Sequence, residues 1–120
     1  MSTARRVLSM ALVLTVAMLA SDGLAAQAVF KFYWGQGCPH CDAARPFVRA
    51  LEKEHPKVRF EAWEVRRDPV GRKHFVKEVK RLKIKNPSVP TFICGDEYVV
   101  GYRKGQSEAC VRDLLRRCSK

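Results

Sequence analysis

From residue 28 onward the apolar positions alternate between short continuous runs and stripes at helical spacing. Ala28–Trp34 is apolar and aromatic apart from Lys31, with the length and content of a strand buried on both faces. After the loop Gly35-Gln36-Gly37, Pro39 suits the first turn of a helix, where its missing N–H costs nothing. Ala43, Ala44, Phe47, Val48, Ala50 and Leu51 then recur at helical spacing, with Asp42, Arg45, Arg49, Glu52 and Lys53 opposite. Pro46 is expected to kink this helix and His55-Pro56 to end it. Val58–Val65 reads as a second strand, although its alternation slips phase at Trp63. The helix-length crossover makes it parallel to the first. Asp68-Pro69 is a helix start, followed by the stripe Phe75, Val76, Val79 and Leu82 with lysines and arginines facing water. Residues 83–88 connect to a third strand, Val89–Cys94. Gly95-Asp96-Glu97 turns the chain into a fourth, Tyr98–Tyr102, antiparallel to the third. Ser107-Glu108 opens a last helix that offers Cys110 or Val111, Leu114, Leu115 and Cys118 to the core. The order β-α-β-α-β-β-α predicts an α/β fold, a three-layer α/β/α sandwich around a mixed four-stranded sheet.

The first residues stand apart from this pattern. Arg5 and Arg6 precede an uncharged apolar run, Val7–Ala20, followed by small residues. The run falls short of the roughly 20 residues of a membrane span. It has the order of a secretory signal peptide, expected over residues 1–26 with cleavage near 25–28, and leaves one domain over 27–120. An uncleaved anchor is the competing reading. The paired arginines hint at twin-arginine export, but Val7-Leu8-Ser9 completes that pattern poorly. The expected location is therefore periplasmic or secreted. Losing Arg5, Arg6 and Asp22 leaves +10 of the chain's +11 charge on the small domain. Such a surface suits an acidic partner or peripheral contact with an anionic membrane face. No basic helix interleaved with base-stacking aromatics stands out, so no nucleic-acid role is expected.

All five cysteines lie in the domain, where export lets disulfides persist, and the odd number leaves at least one without an internal partner. Cys38 and Cys41 bracket Pro39-His40 at a helix start. Unpaired N–H groups and the helix dipole there favour a thiolate, the form that attacks disulfides. Cys38 is thus the expected exposed nucleophile and Cys41 the buried resolving thiol, with His40 favouring the Cys38 thiolate. A structural bridge or half of a zinc site would use the same pair. Zinc needs further ligands, and His55 and His74 fall on loop or solvent-facing positions, so neither metal nor cofactor is expected.

The strand order, the Cys-x-x-Cys at the first helix, Pro46 within that helix, and Val89-Pro90-Thr91 at the third strand together resemble the thioredoxin fold, over roughly residues 28–118. Pro39-His40 is the dipeptide of DsbA-like periplasmic disulfide oxidoreductases, although the chain lacks their large helical insertion. It is closer to short exported bacterial thioredoxin-like proteins. The clear glycine-pair motif of glutaredoxins after strand four is absent. The resemblance implies a thiol–disulfide oxidoreductase acting on protein thiols and disulfides, served by a redox partner protein, with a cis Val89–Pro90 bond beside the active site. Val89, Pro90 and Trp34 would then border the substrate groove. Trp34 and Phe32 otherwise read as core, and Tyr98 and Tyr102 as sheet packing. The chain is read as a monomer. A non-enzymatic basic binding module with structural disulfides is the rival reading.

Cys94, Cys110 and Cys118 remain. The third strand and last helix are expected to run the same way. Cys94 then lies about 13 Å along its strand and Cys118 about 16 Å along its helix. That levels Cys94 with Cys118 as a structural disulfide and leaves Cys110 as a small buried hydrophobe, with Cys94–Cys110 as the alternative pairing.

Overall fold

A computed structural model describes residues 27–120. The signal-peptide reading of residues 1–26 and its cleavage site lie outside the described residues. The element order is β1 (Val29–Trp34), α1 (Pro39–Glu54), β2 (Arg59–Glu64), α2 (Pro69–Leu82), β3 (Thr91–Cys94), β4 (Glu97–Val100) and α3 (Ser107–Cys118). The sheet runs β2-β1-β3-β4. β1 pairs with β2 in parallel, and β3 is antiparallel to both β1 and β4. The expected α/β sandwich and its mixed four-stranded sheet are what the chain forms.

Strand parity divides the core between the two faces. Phe30, Phe32, Phe92 and Cys94 meet Ala44, Phe47, Val48 and Leu51 of α1 and Val111, Leu114 and Leu115 of α3. Tyr33, Val65 and Ile93 meet Phe75 of α2 and Ile84 on the other face. The register stacks Phe32 on its cross-strand partner Phe92, with ring centroids 5.4 Å apart. The phase slip in β2 has a simple cause. Val58 and Phe60 pack towards α1 and α3, whereas Trp63 and Val65 pack towards α2. β2 is an edge strand, so Ala62 is left exposed.

Several positions differ from the sequence pattern. Ala43 is exposed, because Ala44 and Phe47 already fill the inward face of α1. Val76 is exposed as well. The inward face of α2 includes Gly71, Phe75 and the carboxylate Glu78, which is buried under Arg81 (2.7 Å) and Lys31 (3.5 Å). Gly71 is required there. A Cβ would overlap the Glu64 carbonyl oxygen, so glycine lets α2 lie directly on β2. Ile84, expected in a connector, is buried. Its N–H donates to the Val79 carbonyl past a left-handed Lys83, folding the helix end onto the sheet. β3 starts at Thr91 and not Val89, since Pro90 has no N–H for the ladder. β4 ends at Val100, and the Gly101 N–H donates to the Pro90 carbonyl at 2.7 Å. Tyr98 is exposed, while Tyr102 is buried and donates its hydroxyl to Glu108. Desolvation, with that carboxylate, raises the Tyr102 phenol to about 12.

Candidate functional site: a dithiol pair at a helix start

Cys38 is the N-cap of α1, with extended backbone (φ −93°, ψ 109°) and Pro39 in the first turn. Its N–H donates to the Gly35 carbonyl across the turn, and its own carbonyl accepts from the Asp42 N–H. The geometry delivers the sulfur to the helix end. The Cys41 N–H donates to Cys38 Sγ at 3.2 Å, in the place where a serine or aspartate oxygen usually caps. Cys38 and Cys41 form a disulfide with Cα atoms 5.2 Å apart. On its other side Cys38 Sγ lies 3.8 Å from the Val89 carbonyl oxygen. Cys41 is fully buried. Cys38 was expected to be exposed, yet it is 3% exposed, because the helix end and the Val89 carbonyl close over it.

The Val89–Pro90 peptide bond is cis. Beside it runs an open groove of about 380 Å³, bordered by His40, Val89, Pro90, Tyr102, Arg103 and Ser107 among others. His40 and Pro39 are exposed. Trp34 is not part of this groove. It is half-buried at the end of β1 beneath the Arg45 guanidinium, 3.8 Å from the ring centre.

A carboxylate braces the loop before Cys38. The Glu64 side chain accepts from the backbone N–H groups of Gln36, Arg66, Arg67 and Asp68 at 2.7–3.1 Å. Desolvation pushes its pKa up, but those N–H groups outweigh it and hold the carboxyl at about 2. Arg66 adds a bond from its guanidinium to the Gln36 carbonyl, and its side chain lies over Gly35.

The fold that carries this site is shared with solved structures. A thioredoxin from Fasciola hepatica is 22% identical, with a TM-score of 0.59 over 77% of this chain and 81% of that one. A thioredoxin from Nicotiana alata is 14% identical, with a TM-score of 0.58 over 80% and 76%. Spinach chloroplast thioredoxin f is 20% identical, with a TM-score of 0.54 over 74% and 77%. The chain has the thioredoxin fold. No family model matches it, and no curated protein matches it in sequence.

Within the thioredoxin fold, the remaining residues fall as follows. Cys94 and Cys118 form a second disulfide, with Cα atoms 5.8 Å apart. Cys94 pairs with Phe30 near the start of β1, so this bridge sits at the sheet end remote from Cys38. Cys110 is unpaired. It is exposed and not buried as expected, because the helix turns Val111 inward in its place. His74 is not solvent-facing: it stacks on Trp63 at 4.0 Å and meets the Tyr33 hydroxyl at 2.8 Å. Desolvation, then Lys31, lowers its pKa, and desolvation, then Glu78, raises that of Tyr33. No group of three or more His, Cys, Asp or Glu among the described residues could hold a metal. Glu64, Arg66 and Arg103 were missed as site residues. Only the register, which sets Glu64 beside Trp34, brings the first two to the Cys38 loop.

Proposed function

We propose that the protein is a thiol–disulfide oxidoreductase that exchanges disulfides with protein thiols through Cys38 and Cys41. The observation that carries this reading is the Cys41 N–H on Cys38 Sγ at the start of a 16-residue helix. A backbone donor and the positive helix end stabilise a thiolate there. In the oxidising direction a substrate thiolate enters beside Val89 and attacks Cys38 Sγ. The Cys38–Cys41 bond breaks and Cys41 leaves as a thiolate. A second substrate thiolate then attacks the substrate sulfur of the mixed disulfide. The substrate departs as a disulfide, and both cysteines are left reduced, with the two electrons on the protein. In the reverse direction, Cys38 attacks a substrate disulfide and Cys41 resolves the mixed disulfide.

The finer reading follows from the sequence motifs. Cys-Pro-His-Cys and the leader-like residues 1–26 support a short exported bacterial protein resembling DsbA-like oxidoreductases, periplasmic or secreted. It would work as a monomer with a redox partner protein and without nucleic acid. A thiolate stabilised by the helix end, with help from His40, makes the disulfide form the stronger oxidant. The burial of Cys38 gives weight to the rival, a binding module in which this bridge is a staple. Alkylation after reduction separates the two. One cysteine labelling fast at mildly acidic pH, lost in Cys38→Ser, supports exchange, as does accumulation of mixed disulfides in Cys41→Ser. Uniform slow labelling of Cys38 and Cys41 sinks it.

A further inference from the structure

Charge is unevenly spread over the fold. Residues 66–85, which comprise α2 and its flanking loops, carry nine lysines and arginines and two acids, so this stretch holds +7 of the +10 in residues 27–120. Both acids are used inside. Asp68 caps α2 through the Val70 N–H, and Glu78 is buried under Arg81 and Lys31. Arg66, Arg72 and Arg81 are held by internal bonds. Arg67, Lys73, Lys77, Lys80, Lys83 and Lys85 are exposed, with no carboxylate within 4 Å among the described residues.

The same helix carries exposed apolar side chains. Val70 is 66% and Val76 45% exposed, two of the three large hydrophobics so placed among the described residues. At about 100° per residue, Lys73, Val76, Lys77 and Lys80 share the side opposite Gly71, Phe75 and Glu78. An outward helix face normally lacks such valines. Lysine stems reach past small apolar residues to set their charges in one plane. Protein hot spots instead favour tryptophan, tyrosine and arginine anchors; Lys73, Val76, Lys77 and Lys80 include none, and Arg67, unpaired among the described residues, lies before the helix. A fluid anionic surface, whose headgroups rearrange around point charges, is its complement.

We infer that the outer face of α2 docks on an anionic lipid surface. The helix lies along the interface with Lys73, Lys77 and Lys80 among the headgroups, and Val76 and Val70 flank them on opposite edges of that face. None of the residues bordering the groove beside Cys38 comes from α2, so docking leaves that groove open. The inference is independent of the redox reading.

The test is co-sedimentation of the full chain with phosphatidylcholine vesicles, with and without about 30% phosphatidylglycerol. Residues 7–20 contribute equally to every variant, so the readout is the ratio of binding between variants and between vesicles. At an anionic surface each lysine is worth about fivefold in binding. Lys73→Gln, Lys77→Gln and Lys80→Gln together are therefore expected to lower binding about a hundredfold on phosphatidylglycerol vesicles and leave it unchanged on neutral ones. Added salt is expected to shrink that gap. Val70→Ser with Val76→Ser is expected to weaken binding by a factor that salt does not change. Equal binding to both vesicle types, or a triple variant that binds as the parent does, overturns the inference. Tighter binding to soluble poly-glutamate than to the anionic vesicles also overturns it, in favour of an acidic protein partner.

Discussion

Replacing Cys94 and Cys118 together by alanine opens a ring that holds β3, β4 and α3. The two cysteines are 24 positions apart in the chain. Closing a ring of that length removes about 3.5 kcal/mol of unfolded-state entropy. Cys94 is also 1% exposed and packs in the main core, so losing its sulfur adds a small void term. The total is about 4 kcal/mol. In a domain of this size 1 kcal/mol moves Tm by about 5 °C, so the double variant should melt about 20 °C lower. Thermal unfolding by circular dichroism measures this, with Cys110→Ser in both proteins to prevent mispairing. α3 should loosen first, since the bridge holds the helix that brings Val111, Leu114 and Leu115 to the sheet. The Cys38/Cys41 potential should move by less than about 30 mV, the equivalent of about 1.4 kcal/mol, because the bridge lies at the other end of β1. A fall in Tm below about 5 °C would mean that the ring contributes far less than its length implies. Peptide mapping that linked Cys94 to Cys110 in the unaltered protein would refute the pairing outright.

Two further outcomes bear on the site. Exchanging Pro39-His40 for Gly-Pro should make the potential more reducing, by tens of millivolts at about 30 mV per 1.4 kcal/mol; an unchanged potential would make His40 a bystander. Glu64→Gln should weaken the brace on residues 35–38. The Glu64 carboxyl is held at about 2 in the fold, against about 4.3 in an unfolded chain. Its contribution is therefore present above pH ~4.3 and lost as pH falls through ~2. Urea unfolding should show the variant less stable at neutral pH and the gap closing towards pH ~2; a gap constant with pH would remove the charge from the explanation.

Much of this was legible in the residue pattern. Runs and stripes set the order of strands and helices, because periods of two and 3.6 are local properties of the backbone. The short turn after Cys94 made β3 and β4 antiparallel, and the helix after Cys41 made β1 and β2 parallel. The position of Cys38 ahead of Pro39 placed its sulfur at a helix start. The level of Cys94 with Cys118 followed from rise per residue along a strand and a helix.

Other features belong to the tertiary structure alone. The burial of Cys38 depends on the Val89 carbonyl, which approaches from 51 residues away. The inward turn of Glu78 depends on Lys31 and Arg81, so the buried face of α2 includes a carboxylate, while Val76 of the expected stripe faces out on the opposite side. Trp34 lies under Arg45 and away from the groove, a choice made by helix packing. Cys110 and Val111 compete for one inward position on α3, and periodicity alone does not decide which residue of such a pair faces the sheet. The brace from Glu64 to the Cys38 loop exists only because β1 and β2 pair in one register, which sets Glu64 beside Trp34. Contacts of this kind join residues that share no local pattern, and they form only when the sheet brings distant segments within hydrogen-bond reach.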